Sequence, residues 1–235
     1  MGRLILALPS KGRLMEQTDA HFEAAGVRLA KTGSQRGYRG EITGMPDIEV
    51  NYVSSSEIAQ LLRDGSVHLG ITGEDLVRET VPDADQRLRF VKKLGFGFAD
   101  VVVAAPACWL DVRRMSDLED TATAFYRAHG TRMRVATKYA NLTRRFFSEH
   151  GVSTSRTVES LGATEGAPAA GLAEIIVDIT TTGSTIRANA LRVLDDGVML
   201  KSEANLIEAR AAGWTDRARA AADGLLARLA TLDLK

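Results

Sequence analysis

Residues 165–185 read EGAPAAGLAEIIVDITTTGST, and their pattern points to the fold class. Residues 173–179, Ala-Glu-Ile-Ile-Val-Asp-Ile, are a short, apolar, β-branched run that predicts a buried strand. Thr180, Thr181, Thr182, Gly183, Ser184 and Thr185 follow at once, with a glycine where the chain must turn tightly. From Ile186 the sequence can start a helix. A strand, a Gly/Ser/Thr loop and a helix start together make a phosphate cradle, because backbone N–H groups, hydroxyl donors and the helix dipole all favour an anion. Asp178, at the carboxyl end of the strand, is placed to accept hydrogen bonds from sugar hydroxyls. In physical terms Asp-x-x-x-Thr-Gly-x-Thr reads a phosphorylated ribose. The same residues also suit an ordinary strand-to-helix turn with a capping threonine, so this stretch alone leaves both readings open.

The chain has 235 residues, enough for one large domain or two lobes with real cores. Lys+Arg and Asp+Glu both number 30, so net charge gives no sign of nucleic-acid or membrane binding. No apolar run reaches transmembrane length. The N-terminus enters a strand directly, without the layout of a secretory signal. Cys108 is the only cysteine, so no intrachain disulfide can form. This fits a reducing, cytoplasmic setting, and Cys108 is expected to be a small packed hydrophobe. The four histidines are scattered and suggest neither a metal cage nor a nucleophilic triad.

Strands are predicted at residues 3–8, 48–53 and 67–72, each followed by a helical pattern (14–25, 57–63 and 74–79). This alternation argues an α/β fold with parallel pairing. Two β-rich runs at 90–94 and 101–105 flank Gly95-Phe96-Gly97, where the chain is expected to cross from a first lobe to a second. Ser116-x-x-Glu119 reads as a capping box for a helix from 117 to about 129. A strand at 134–137, a helix at 139–150 and a strand at 155–158 precede the phosphate loop. The chain is expected to return through 193–200. Ala218, Ala222, Leu225, Leu229 and Leu232 then lie at helical spacing, on a helix that packs on the first lobe or on a partner. The expected division is 1–96 with 196–235 as lobe I and 97–195 as lobe II. Such an architecture is similar to the periplasmic-binding-protein (type II) fold, which implies an active site in the cleft between lobes.

Three further stretches carry chemistry. In Pro9-Ser10-Lys11-Gly12-Arg13-Leu14, at the end of the first strand, Lys11 offers a point charge and Arg13 a planar fork for phosphate. A solvated basic turn is the plainer alternative. Residues 69–79 contain Gly73, which permits close backbone approach, and Asp75, which at least favours the helix dipole. At 134–142, Lys138 stands at a strand end within reach of a phosphate, and Thr137 can cap the helix. Arg36 and Arg39, in the basic loop 34–40, are candidates to close over a polyphosphate.

Taken together, Glu165, Gly171, Ala173, Asp178, Thr182, Gly183 and Thr185 resemble the signature of the ATP phosphoribosyltransferases. The Ser-Lys-Gly-Arg, Gly-Ile-x-Gly-x-Asp and Ala-Thr-Lys-Tyr stretches agree with the same family, so the likeness spans nearly the whole chain. Ile186, Glu174, His68 and Ala140 depart from the commoner residues, and His68 reads as a local surface change. The resemblance implies transfer of the 5-phosphoribosyl group of phosphoribosyl pyrophosphate to N1 of ATP, the first step of histidine biosynthesis, with Mg2+ accompanying the diphosphate. It assigns phosphoribosyl pyrophosphate to Glu165, Asp178 and residues 180–185. It assigns ATP to Lys11, Gly12, Arg13, Gly73, Asp75 and Lys138, with Lys11, Arg36 and Asp178 expected to act in catalysis. The family often carries an arginine where this chain has Ser54, which leaves the cation for the leaving pyrophosphate unassigned. The length resembles the family's short form, without a C-terminal regulatory domain. Short forms imply a regulatory subunit similar to histidyl-tRNA synthetase, a hetero-octamer and a dimer of the catalytic chain. The alternatives are a phosphoribosyltransferase for another base and a non-catalytic two-lobed solute-binding protein.

Overall fold

The computed structural model describes residues 2–32, 38–160 and 162–230. The chain divides into two compact units, Met1–Gly97 with Glu203–Lys235, and Phe98–Ser202.

The first unit is built on a seven-stranded sheet ordered β2-β3-β4-β1-β5-β12-β6. Its strands are β1 (Leu4–Pro9), β2 (Leu29–Thr32), β3 (Arg39–Ile42), β4 (Met45–Val53), β5 (Leu69–Gly73), β6 (Leu88–Lys93) and β12 (Ala204–Ala209). The three central strands β4, β1 and β5 are parallel, whereas β3 and β12 join antiparallel on either side. The expected parallel pairing therefore describes the centre of a mixed sheet.

Both faces of β1 are buried, which is why it reads as a continuous apolar run. Leu4, Leu6 and Leu8 enter one core with Phe22 of α1 (Gly12–Ala24) and Ala218, Ala222, Leu225 and Leu229 of α8 (Asp216–Leu229). The last helix thus packs on the first unit; Leu232 lies outside the described residues. On the other face Ala7 meets Ile58, Ala59 and Leu62 of α2 (Ser55–Asp64), Val77 of α3 (Glu74–Thr80) and Ala84 of α4 (Ala84–Arg87).

His68 is buried, not a surface substitution. Its Nδ1 accepts from the Ile5 N–H at 3.0 Å, its Nε2 lies 3.3 Å from the Gly213 carbonyl, and its ring meets Trp214 edge-on at 4.9 Å. A histidine so held ties β1 to the segment leading into α8.

The second unit carries a five-stranded sheet ordered β11-β7-β10-β8-β9. These are β7 (Ala99–Pro106), β8 (Met133–Thr137), β9 (Ser155–Glu159), β10 (Ile175–Thr180) and β11 (Leu191–Ser202). β8 is parallel to both β9 and β10, and β7 is antiparallel to both β10 and β11. β11 runs unbroken through residues 195–196, where the sequence placed the return to the first lobe. The helices are α5 (Met115–His129), α6 (Ala140–Glu149) and α7 (Ser184–Ala188).

The expected capping box at Ser116 and Glu119 does not form. Asp117 takes that role, its carboxylate accepting from the Arg113 and Arg114 N–H groups at 3.0 and 2.8 Å. Glu119 instead accepts from the Ser153 N–H at 2.9 Å and the Thr154 hydroxyl at 3.1 Å, pinning the turn before β9. Cys108 is exposed rather than packed. Among the described residues, no helix is long and apolar enough to cross a membrane.

Candidate phosphate-binding site

β10 brings Asp178 and Thr180 to its carboxyl end, and the register Val177↔Thr137 sets Lys138, the residue after the parallel strand β8, toward the same end. Ligands gather at such strand ends in open α/β sheets because the backbone there leaves the sheet. Glu165 lies in a 3-10 turn, Thr164–Gly166, in the connection from β9 to β10. Asp178, Glu165 and Lys138 are electrostatically coupled: burial raises the Asp178 carboxyl above its ordinary pKa, the Ile179 N–H and the Lys138 cation pull it back, and Glu165 pushes it up. One Asp178 oxygen accepts the Ile179 N–H at 2.8 Å. A half-buried carboxylate with acceptor capacity to spare suits a sugar diol.

The loop after β10 is held by its own hydroxyls. Gly183 has φ +70, a conformation natural to glycine. Its N–H donates to Thr180 Oγ1 at 2.8 Å. Thr181 Oγ1 donates to the Phe98 carbonyl at 3.2 Å, and Thr182 Oγ1 to Ser184 Oγ at 2.9 Å. Thr182, Ser184 and Thr185 are exposed. Ile186 is buried with Ile176, Ala173 and Leu191 and anchors α7 to the core. α7 has only five residues, so its aligned dipole is short and the loop's hydroxyls and backbone carry more of the cradle than the sequence implied.

Arg187, which the sequence reading did not single out, folds back over this loop. Its Nη2 donates to the Thr182 carbonyl at 3.0 Å, and a Cβ at position 183 would lie 2.7 Å from its Nη1. The signal for it was spacing: residue 187 stands four after Gly183, one helical turn on, where side chains lean toward the N-terminus.

Glu174, at the entry to β10, is a structural acid. It accepts from the Arg134 backbone N–H at 2.5 Å and from the Arg134 guanidinium at 2.6 Å. Thr137 does not cap α6; its hydroxyl accepts the Tyr139 N–H at 2.8 Å in the turn carrying Lys138.

In the first unit the carboxyl ends of β1, β4 and β5 form one edge. Lys11, Gly12 and Arg13, all exposed, follow β1 and open α1. Ser54 follows β4 and caps α2, its Oγ accepting the Glu57 N–H at 3.3 Å. Gly73 ends β5, and Asp75 sits in the first turn of α3 with only 6% of its surface exposed. Arg39 points to Glu49 at 3.8 Å with 77% of its side chain exposed. Arg36 lies outside the described residues. Among the described residues, no three His, Cys, Asp or Glu side chains gather as a metal site.

A strand, a hydroxyl-lined glycine turn and a carboxylate at one sheet edge are the arrangement that a phosphosugar site on an α/β fold calls for. Comparison with known proteins narrows the class. The family model described as "HisG: ATP phosphoribosyltransferase" matches residues 54–231. The ATP phosphoribosyltransferase of Afipia carboxidovorans is 60% identical over 227 residues, covering 97% of this chain and 70% of that protein. One from Rhodopseudomonas palustris is 60% identical with the same coverages. Among solved structures, an ATP phosphoribosyl transferase (HisG:HisZ) complex from Thermotoga maritima has TM-score 0.73 at 26% identity, covering 97% of this chain and 96% of that one. The arginine-, lysine-, histidine-binding protein ArtJ from Geobacillus stearothermophilus has TM-score 0.52 at 11% identity over 96% of this chain and 90% of its own, a likeness of fold alone. The chain belongs to the ATP phosphoribosyltransferase family, on the periplasmic-binding-protein-like fold expected from its sequence.

Proposed function

We propose that the chain transfers the 5-phosphoribosyl group of phosphoribosyl pyrophosphate to N1 of ATP, forming phosphoribosyl-ATP and pyrophosphate, the first step of histidine biosynthesis, in the cytoplasm. The observation that carries the reading is the loop at 180–185 beside Asp178, in a chain whose relatives bear the name of that activity. In this reading residues 180–185 hold the 5-phosphate. Asp178, with Glu165, accepts from the ribose hydroxyls. Lys11, Gly12, Arg13, Gly73, Asp75 and Lys138 serve ATP, the cations among them neutralising phosphate charge. The adenine nitrogen brings its own lone pair, so the demand on the protein is placement and charge management more than proton abstraction.

Mg2+ fits this chain as a companion of the diphosphate. The ion commonly takes one or two carboxylates, with substrate phosphates and waters completing its shell, and Asp178, which feels the charge of Glu165, offers one near the carboxyl end of β10. When bound, Mg2+ neutralises the leaving diphosphate.

The likeness to the HisG:HisZ complex supports a HisZ-like regulatory chain as partner in a hetero-oligomer, with this chain as the catalytic subunit. The test is to mix the chain, with and without such a partner, with ATP, phosphoribosyl pyrophosphate and Mg2+. Formation of phosphoribosyl-ATP that Asp178→Ala abolishes is expected. Product from another purine but none from ATP rejects the assignment.

A further inference from the structure

The peptide joining Thr182 to Gly183 is gripped from both sides. Its N–H donates to Thr180 Oγ1 at 2.8 Å, and its carbonyl accepts from Arg187 Nη2 at 3.0 Å. A peptide unit is planar, with N–H and C=O pointing opposite ways. Two bonds at its two ends therefore fix its rotation, as neither could alone. Arg187 is itself placed by α7, its N–H donating to the Gly183 carbonyl at 3.0 Å, and Ile186 beside it is buried in the core. The absence of a Cβ at Gly183 also leaves room for the guanidinium, whose Nη1 would lie 2.7 Å from that atom.

From these contacts we infer that Arg187 is a positioning residue for phosphoribosyl pyrophosphate. It holds the Thr182–Gly183 peptide, and with it the turn that presents the exposed hydroxyls of Ser184 and Thr185 to the 5-phosphate, and it ties back a carbonyl oxygen whose partial negative charge would otherwise be free to swing toward the anion. Its own positive charge adds to the attraction, weakened by solvent because the side chain is exposed. Preformation of this kind lowers the ordering cost of binding and so appears mainly in affinity for that one substrate.

This inference rests on the phosphate-loop reading above, and the experiment separates the two. Steady-state kinetics of Arg187→Ala, Arg187→Met and Arg187→Lys are measured with each substrate varied, beside Thr182→Val and Asp178→Ala. Loss of this exposed hydrogen bond predicts a rise of about fivefold in KM for phosphoribosyl pyrophosphate in Arg187→Ala and Arg187→Met. The expected kcat stays within about threefold and KM for ATP is unchanged. Arg187→Lys, which retains a donor and the charge, is expected to recover part of the loss. A KM for phosphoribosyl pyrophosphate within about twofold of wild type in Arg187→Ala and Arg187→Met overturns the inference. If Thr182→Val and Asp178→Ala lose use of that substrate in the same series, the loop reading stands without it. If they too behave as wild type, the loop reading itself fails. Equal rises in both KM values with a lowered melting temperature assign Arg187 a merely structural role and also overturn it.

Discussion

Gly183→Ala tests the geometry of the loop most directly. Position 183 has φ +70, where a residue with a Cβ costs about 1–2 kcal/mol. The new methyl would lie 2.7 Å from Arg187 Nη1. The guanidinium is the free end of a long side chain, so it swings away, but in doing so it releases the Thr182 carbonyl it holds at 3.0 Å. For an exposed pair that loss is about 1 kcal/mol, the value of an ordinary hydrogen bond, because solvent competes for both groups. The sum is about 2–3 kcal/mol, which corresponds to a loss of roughly 30- to 150-fold in affinity if the loop relaxes out of its binding geometry. The assay is initial rate against phosphoribosyl pyrophosphate at saturating ATP, alongside a thermal melt. Gly130→Ala is the control: its φ is +67, with nothing within 4 Å of an added Cβ. It should cost stability of the same order as the φ term and leave both KM values alone. In a Gly183→Ala/Arg187→Ala double variant the clash is gone and the φ strain remains, so the two effects should not add. A Gly183→Ala enzyme whose KM for phosphoribosyl pyrophosphate stays within about threefold of wild type would refute the reasoning.

Three other perturbations probe the rest of the molecule. Burial raises the Asp178 pKa, so the folded chain holds that proton more tightly than the unfolded one. Stability is therefore lost as pH rises from the unfolded to the folded pKa, and the ionised carboxylate is a fixed cost above it. Asp178→Asn should melt no lower than wild type at neutral pH, with the difference shrinking in acid, while losing phosphoribosyl transfer; a lower melting temperature that persists in acid contradicts this account. His68→Ala removes the acceptor of the buried Ile5 N–H and the Trp214 contact, and urea titration should show about 2–3 kcal/mol of destabilisation; a loss under about 1 kcal/mol would show that the ring is not a tie. Lys11→Met with Arg13→Met should raise KM for ATP with the melting temperature unchanged, since both side chains are exposed; an unchanged KM removes that turn from ATP binding.

What could be read from the sequence followed where physics acts locally. β10 announces itself because a strand covered on both faces needs consecutive apolar residues, and α8 because its buried positions recur at helical spacing. The hairpin of β2 and β3 did not, because short strands near a sheet edge with alternating exposure carry little apolar signal. His68 was misread for a related reason: a polar residue just before a strand looks exposed until the two partners that satisfy it are found, one in β1 and one 145 residues away. The capping of α5 moved from Ser116 and Glu119 to Asp117, since an acid whose oxygen meets two N–H groups outcompetes a serine that meets neither.

The phosphate loop shows both sides of this boundary within a few residues. Asp178, Thr182, Gly183 and Thr185 stand out in the sequence because the proposed sugar-phosphate site calls for particular residue types at particular offsets along one stretch of backbone. Arg187 was missed, because its one signal is its spacing from Gly183, and spacing alone does not say that the side chain is used. Yet the two kinds of residue share one task. The hydroxyl of Thr180, at an unspecified position of the motif, and the guanidinium of Arg187 hold opposite ends of a single peptide, so the motif names the peptide and neither side of its clamp. A sequence that kept Thr-Gly-x-Thr but lost a donor at the position of Arg187 would still carry the signature, while leaving the Thr182–Gly183 peptide free to turn.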